Sequence, residues 1–141
     1  EVLAYHLTEA GAADPAALAW QRAADRSAAR GAFAEAASQY SRAVEVLATT
    51  PESQARNERE LALLISLGSV LTTTRGLASR EVEQVFRRAR ELDLGLGHGR
   101  KAAILGLWQT YLTRGELAAA QPLAEERLAI AEREGAPLSL C

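Results

Sequence analysis

Apolar residues recur along the chain at three- and four-residue steps, as in Phe33, Ala36, Ala37, Tyr40, Val44 and Leu47. That spacing lines one face of an α-helix, and no alternating pattern of the kind that builds a strand accompanies it. Breakers interrupt the periodic stretches at Gly11 to Pro15, Gly31, Thr49 to Pro51, Gly76, Gly95 to Gly99, Gly115 and Gly135 to Pro137. Seven helices follow, at about 1–10, 15–30, 33–49, 53–74, 79–94, 100–114 and 117–134, so the predicted fold class is all-α. Asp14 ahead of Pro15 is the expected N-cap of the second helix, and Ser79 offers a similar start for the fifth. Pro122 removes a backbone donor, which predicts a bend or a delayed start in the last helix.

The turns at Gly31 and Gly115 leave no room for a crossover, so the helices beside them must fold back as antiparallel hairpins. Three hairpins in series, laid over one another, share an order of residue classes. A large residue comes first (Trp20, Leu64, Ile104), then a close pair (Ala23 and Ala24, Leu67 and Gly68, Leu107 and Trp108). The second helices carry Ala36, Val82 and Ala120, then Tyr40, Phe86 and Ala124, then Ala43, Ala89 and Arg127. Small residues let two helices approach where they cross, and a large aromatic one turn later fills the gap as they splay.

This order of large residue, small pair, turn Gly, Ala, aromatic and Ala resembles the tetratricopeptide repeat. The first hairpin matches best, with Trp20, Gly31, Phe33, Ala36, Tyr40, Ala43 and a late Pro51. The second keeps Leu67, Gly68, Phe86 and Ala89 but has Val82 and a longer turn; the third keeps Tyr111, Gly115 and Ala120 and then departs. Trp20 to Leu64 spans 44 residues and Leu64 to Ile104 spans 40. The standard repeat has about 34, so HEAT-like or armadillo-like repeats are the structural alternative.

The stretches AYHLTEAG, TTTRGLASREVEQVFRRAREL and LWQTYLTRGELAAAQPLAE are similar to the tetratricopeptide region of large bacterial signal-transduction ATPases, often carrying a class III adenylate or guanylate cyclase domain. The resemblance implies a right-handed superhelical array with a leading helix and turn at 1–14 and repeats at 15–51, 52–99 and 100–137. Its concave face would present Gln21, Asp25, Ile65, Ser69, Thr72, Thr73, Leu105, Gln109, Leu112 and Thr113 to a protein or peptide partner. No nucleotide-binding GxxxxGK[ST] motif and no paired metal-binding aspartates occur in this segment.

Composition narrows the picture. The 141 residues are 48% apolar and 24% charged, as in folded soluble domains, and carry a net charge of −2, which gives no field to hold nucleic acid or an anionic membrane. Leu61 to Leu71, the longest apolar stretch, is about half a membrane span and reads as a buried helix. A lone Cys141 excludes a disulfide framework or a cysteine zinc cluster and fits a cytoplasmic protein. A chain that begins inside helical sequence and has no Met is expected to be a segment of a longer protein.

Candidate chemistry is sparse. His6 and His98 lack ligand-spaced partners, and the glycines of GLGHGR follow a helix instead of a strand, so they read as a helix stop. Glu91 and Asp93, or Glu125 and Glu126, read as solvated carboxylates. Arg22, Arg26 and Arg30 line one helix face and Arg87, Arg88 and Arg90 crowd another, with Glu83 and Glu91 placed to pair with Arg87. The hydroxyls of Thr72, Thr73 and Thr74 are expected to bond carbonyls one turn back. The reading is a non-catalytic interaction or regulatory scaffold module, with no cofactor or metal, whose partners include other domains of the parent chain. The alternatives are a self-association spacer forming a homodimer, and a small-ligand sensor or all-helical enzyme with a pocket of Trp108, Tyr111 and His98.

Overall fold

A computed structural model describes residues 1–9, 11–97 and 101–135. Seven helices lie among them: α1 (Val2–Glu9), α2 (Ala13–Ala29), α3 (Phe33–Leu47), α4 (Gln54–Arg75), α5 (Arg80–Leu96), α6 (Lys101–Thr113) and α7 (Leu117–Glu134). Each packs on the helix before and after it, and α4 also reaches α6. The result is a stack of helical hairpins, α2 with α3, α4 with α5 and α6 with α7, preceded by α1. None of the described helices is long and apolar enough to cross a membrane.

Three of the turns have one geometry. Gly11, Gly31 and Gly115 adopt φ of +73°, +81° and +73°, a region that only glycine enters cheaply. Each is followed by a residue whose N–H reaches the carbonyl five residues back: Ala12 to Leu7 at 3.0 Å, Ala32 to Ser27 at 2.9 Å and Glu116 to Tyr111 at 2.9 Å. These bonds satisfy carbonyls left open at the end of one helix while the chain reverses into the next.

The helix starts differ in part from the sequence expectation. Ser53 and Ser79 cap α4 and α5, their hydroxyls accepting from the N–H groups of Arg56 at 3.1 Å and Glu81 at 3.2 Å. Asp14 does not cap α2, which starts earlier, with Ala12 at the N-cap position and no side-chain bond there. Asp14 instead sits in the first turn, where a carboxylate favours the helix dipole, and accepts from Arg59 of α4 at 3.0 Å. Helix α7 begins at Leu117 and continues through Pro122, so the start is not delayed.

The predicted packing residues form the core in the first two hairpins and in α6: Trp20, Ala24, Ala36, Tyr40, Ala43, Leu64, Leu67, Val82, Phe86, Ala89, Ile104 and Leu107 are buried. Helix α7 keeps Ala120 inside but turns Ala124 outward, and its remaining core contacts are Leu123 and Ile130. Arg127 lies over the face of Trp108, its guanidinium carbon 4.7 Å from the ring centroid. Two buried hydroxyls are matched: Ser27 donates to Gln39 at 2.7 Å beside the Gly31 turn, and Thr110 donates to the Gly106 carbonyl at 3.0 Å.

Candidate interaction groove

The hinge of the structure is Phe86 on α5. A Cβ placed on Gly68 of α4 or on Gly106 of α6 would sit 2.6 Å from its ring carbons, so the ring occupies the room that both glycines leave. Glycine in mid-helix costs about 1 kcal/mol relative to alanine, and here it admits a flat ring against two backbones at once. Helices α4 and α6 are thereby held on either side of α5.

Between them runs a depression of about 350 Å³. Ile65, Ser69, Thr72 and Thr73 line it from α4, Leu105 and Gln109 from α6, and Phe86 closes its floor. Six of the ten residues placed on the concave face by the repeat register therefore converge on one groove. Its apolar part is Ile65, Leu105 and the Phe86 ring. The rim is polar and uncharged. Thr72 and Thr73 donate to the carbonyls of Gly68 at 2.8 Å and Ser69 at 3.4 Å, as expected, which leaves their oxygens free to accept. Among the described residues, the side chains of Ser69 and Gln109 have no hydrogen-bond partner, so their donors and acceptors are open on the groove.

The other four do not join it. Gln21 is half-buried on α2, and Leu112 and Thr113 are exposed beyond the groove's end on α6, with Thr113 donating to the Gln109 carbonyl at 2.8 Å. Asp25 is engaged elsewhere: its carboxylate accepts the hydroxyl of Tyr40. Burial, followed by that hydrogen bond to a carboxylate, pushes the Tyr40 phenol from 10.0 up to about 12.

A polar cluster beside the groove was not foreseen as a unit. Glu83, on α5, takes Arg114 on one carboxylate oxygen and Arg87 and the Tyr111 hydroxyl on the other, the last at 3.2 Å. Arg87 also donates to the Tyr111 oxygen at 2.9 Å, and Arg114 donates to the Ala78 carbonyl at 2.8 Å. The hydrogen bond from Arg114 is the main reason that Glu83 titrates below its ordinary value of 4.5. Spacing of four residues announces Glu83 with Arg87, whereas Arg114 arrives from another hairpin and leaves no local signal. Arg88 reaches Glu60 of α4 at 3.2 Å and Arg90 reaches Glu126 of α7 at 2.6 Å, so the basic run on α5 ties helices together.

Of the three residues named for a small-ligand pocket, Trp108, Tyr111 and His98, the structure describes the first two. Trp108 carries Arg127, Tyr111 belongs to the Glu83 cluster, and His98 lies outside the described residues together with Gly99 and Cys141. Comparison of the chain with protein-family models, with curated proteins and with solved structures finds no match.

Proposed function

We propose that this chain is a non-catalytic protein-interaction module, a tetratricopeptide-like superhelical array serving as a regulatory scaffold in a larger bacterial signalling protein of the ATPase or nucleotidyl cyclase kind. Its working surface is the α4–α6 groove, and its partner is an extended protein segment, supplied by another domain of the parent or by a separate cytoplasmic protein. The observation that supports this reading is the convergence of Ile65, Ser69, Thr72, Thr73, Leu105 and Gln109 on one uncharged, partly apolar groove. Such a surface suits a segment that inserts a small apolar side chain between α4 and α6 and offers its backbone amides to Ser69 and Gln109. The absence of charge at the rim disfavours capture of a terminal carboxylate, which needs Lys, Arg or an array of N–H donors.

Selection from a random linear peptide library, followed by calorimetry of the enriched sequences, tests the proposal. Peptides that bind the wild type and lose affinity at least about tenfold to Ile65→Asp and to Leu105→Asp support it. No enrichment, or binding indifferent to both substitutions while the helical spectrum is retained, overturns it.

A further inference from the structure

The third hairpin, α6 with α7, meets the second chiefly along α5, and the joint is unevenly built. At its centre the Phe86 ring lies against the backbone of Gly106, which has no Cβ to interlock with it. A flat ring on bare backbone resists separation, because opening would wet apolar surface, but it resists rotation weakly. Polar ties fix the angle instead, on both sides of the ring. One turn before Phe86, Glu83 accepts from Arg114 and from the Tyr111 hydroxyl of the third hairpin. One turn after it, Arg90 reaches Glu126 of α7 at 2.6 Å.

The two ties differ in strength. Arg114 and Glu83 are only 18% and 14% exposed, and Arg114 also donates to the Ala78 carbonyl at 2.8 Å, which joins the α6–α7 turn to the α4–α5 turn. Arg90 and Glu126 are 31% and 27% exposed, so water and salt weaken that pair more. Glu116, 3.6 Å from Arg114, belongs to the same hairpin and adds no tie across the joint. Helices α4 and α6 run the same way, and the two joined turns follow the groove end formed by Thr73 and Gln109. The stronger tie therefore sits where the groove walls finish.

We propose that the Glu83–Arg114 pair is a clasp that sets how far the α4–α6 groove opens. With the clasp closed, the α6–α7 hairpin is held at one angle on the Phe86 ring. With it released, the hairpin rocks on the ring and the Thr73–Gln109 end widens. What this does to ligand capture rests on the groove being the binding surface, whereas the motion itself does not. Arg114 is a positioning residue, acting on the groove through α6 without lining it.

Nitroxides on Thr73→Cys and Gln109→Cys, in a Cys141→Ser background so that no other thiol is labelled, report the width of that end by their dipolar coupling with no ligand present. Arg114→Ala is expected to move the distance outward by about 2 Å or more. Arg114→Lys, which keeps a charge for Glu83, brings it back toward the wild type. Glu83→Gln, similar in size and uncharged, gives an outward shift by the other partner, and circular dichroism checks the helix content of each variant. Arg30→Ala removes an ion pair within the first hairpin, Arg30 with Glu35 at 2.7 Å, and leaves the distance as it was. Peptides enriched by selection bind Arg114→Ala about tenfold or more weakly than the wild type. An unchanged distance in both Arg114→Ala and Glu83→Gln, or an equal shift in Arg30→Ala, overturns the clasp. An outward shift reversed by Arg114→Lys supports it even where the wild type enriches no peptide, a result that overturns the groove reading alone.

Discussion

The first and second helical hairpins solve one packing problem in two ways. Where α3 meets α2 and α4, the slot is filled by Tyr40, which is buried and donates its hydroxyl to Asp25 of α2. Where α5 meets α4 and α6, Phe86 occupies the same register position and lies against the backbones of Gly68 and Gly106 with no polar handle. The first joint is held by orientation, since its hydrogen bond fixes where the ring can sit. The second depends on fit, since nothing but shape and exclusion of water keeps the ring in place. A joint of the second kind is therefore more sensitive to volume, and one of the first kind to pH.

Removing the ring gives the largest contrast. Phe86→Ala is expected to cost about 3–5 kcal/mol in denaturant unfolding, because it empties the space that the ring fills against Gly68 and Gly106. A loss under about 1 kcal/mol would show that α4 and α6 close over the gap unaided.

Glycine substitutions come next and separate fit from propensity. Gly106→Ala places a Cβ 2.6 Å from a ring wedged between two backbones, so the expected change is a loss of about 1–3 kcal/mol in spite of the gain in helix propensity. Gly95, also inside a helix, has nothing within 4 Å of such a Cβ, and Gly95→Ala should stabilise by about 0.5–1 kcal/mol. Equal signs for the two substitutions would contradict the packing account.

Smallest is the polar handle. Tyr40→Phe should cost about 0.5–1.5 kcal/mol near neutral pH, measured by thermal or urea unfolding. Its signature is the alkaline limb. Folding raises the phenol from 10.0 to about 12, so the contribution is whole below pH 10 and is lost as pH climbs through 12. The wild type should lose more stability than Tyr40→Phe between those limits, and parallel profiles would remove Tyr40 as the cause.

Periodicity and turn glycines made the seven helices legible, because amphipathic stripes and positive-φ stops are local properties of the chain. Repeat register did more, bringing Ile65, Ser69, Thr72, Thr73, Leu105 and Gln109 to one groove. Where the sequence misled, a tertiary contact had overridden a local rule. Asp14 has the composition of an N-cap, yet it pairs with Arg59 of α4, and α2 begins two residues earlier. Asp25 sits at a groove position of the register, yet Tyr40 claims it. Gly106 was readable in principle, since a glycine between Leu105 and Leu107 in mid-helix signals a close approach. Glu83 was not, because two of its three partners lie 28 and 31 residues away.

The ring of Phe86 is both the floor of the groove and the spacer between its walls. The width of that depression is consequently set by a single aromatic side chain at one register position. Under the proposed reading, leucine or tryptophan at this position would regauge the depression without altering a residue on its rim, and so change which segments fit before changing how they are gripped.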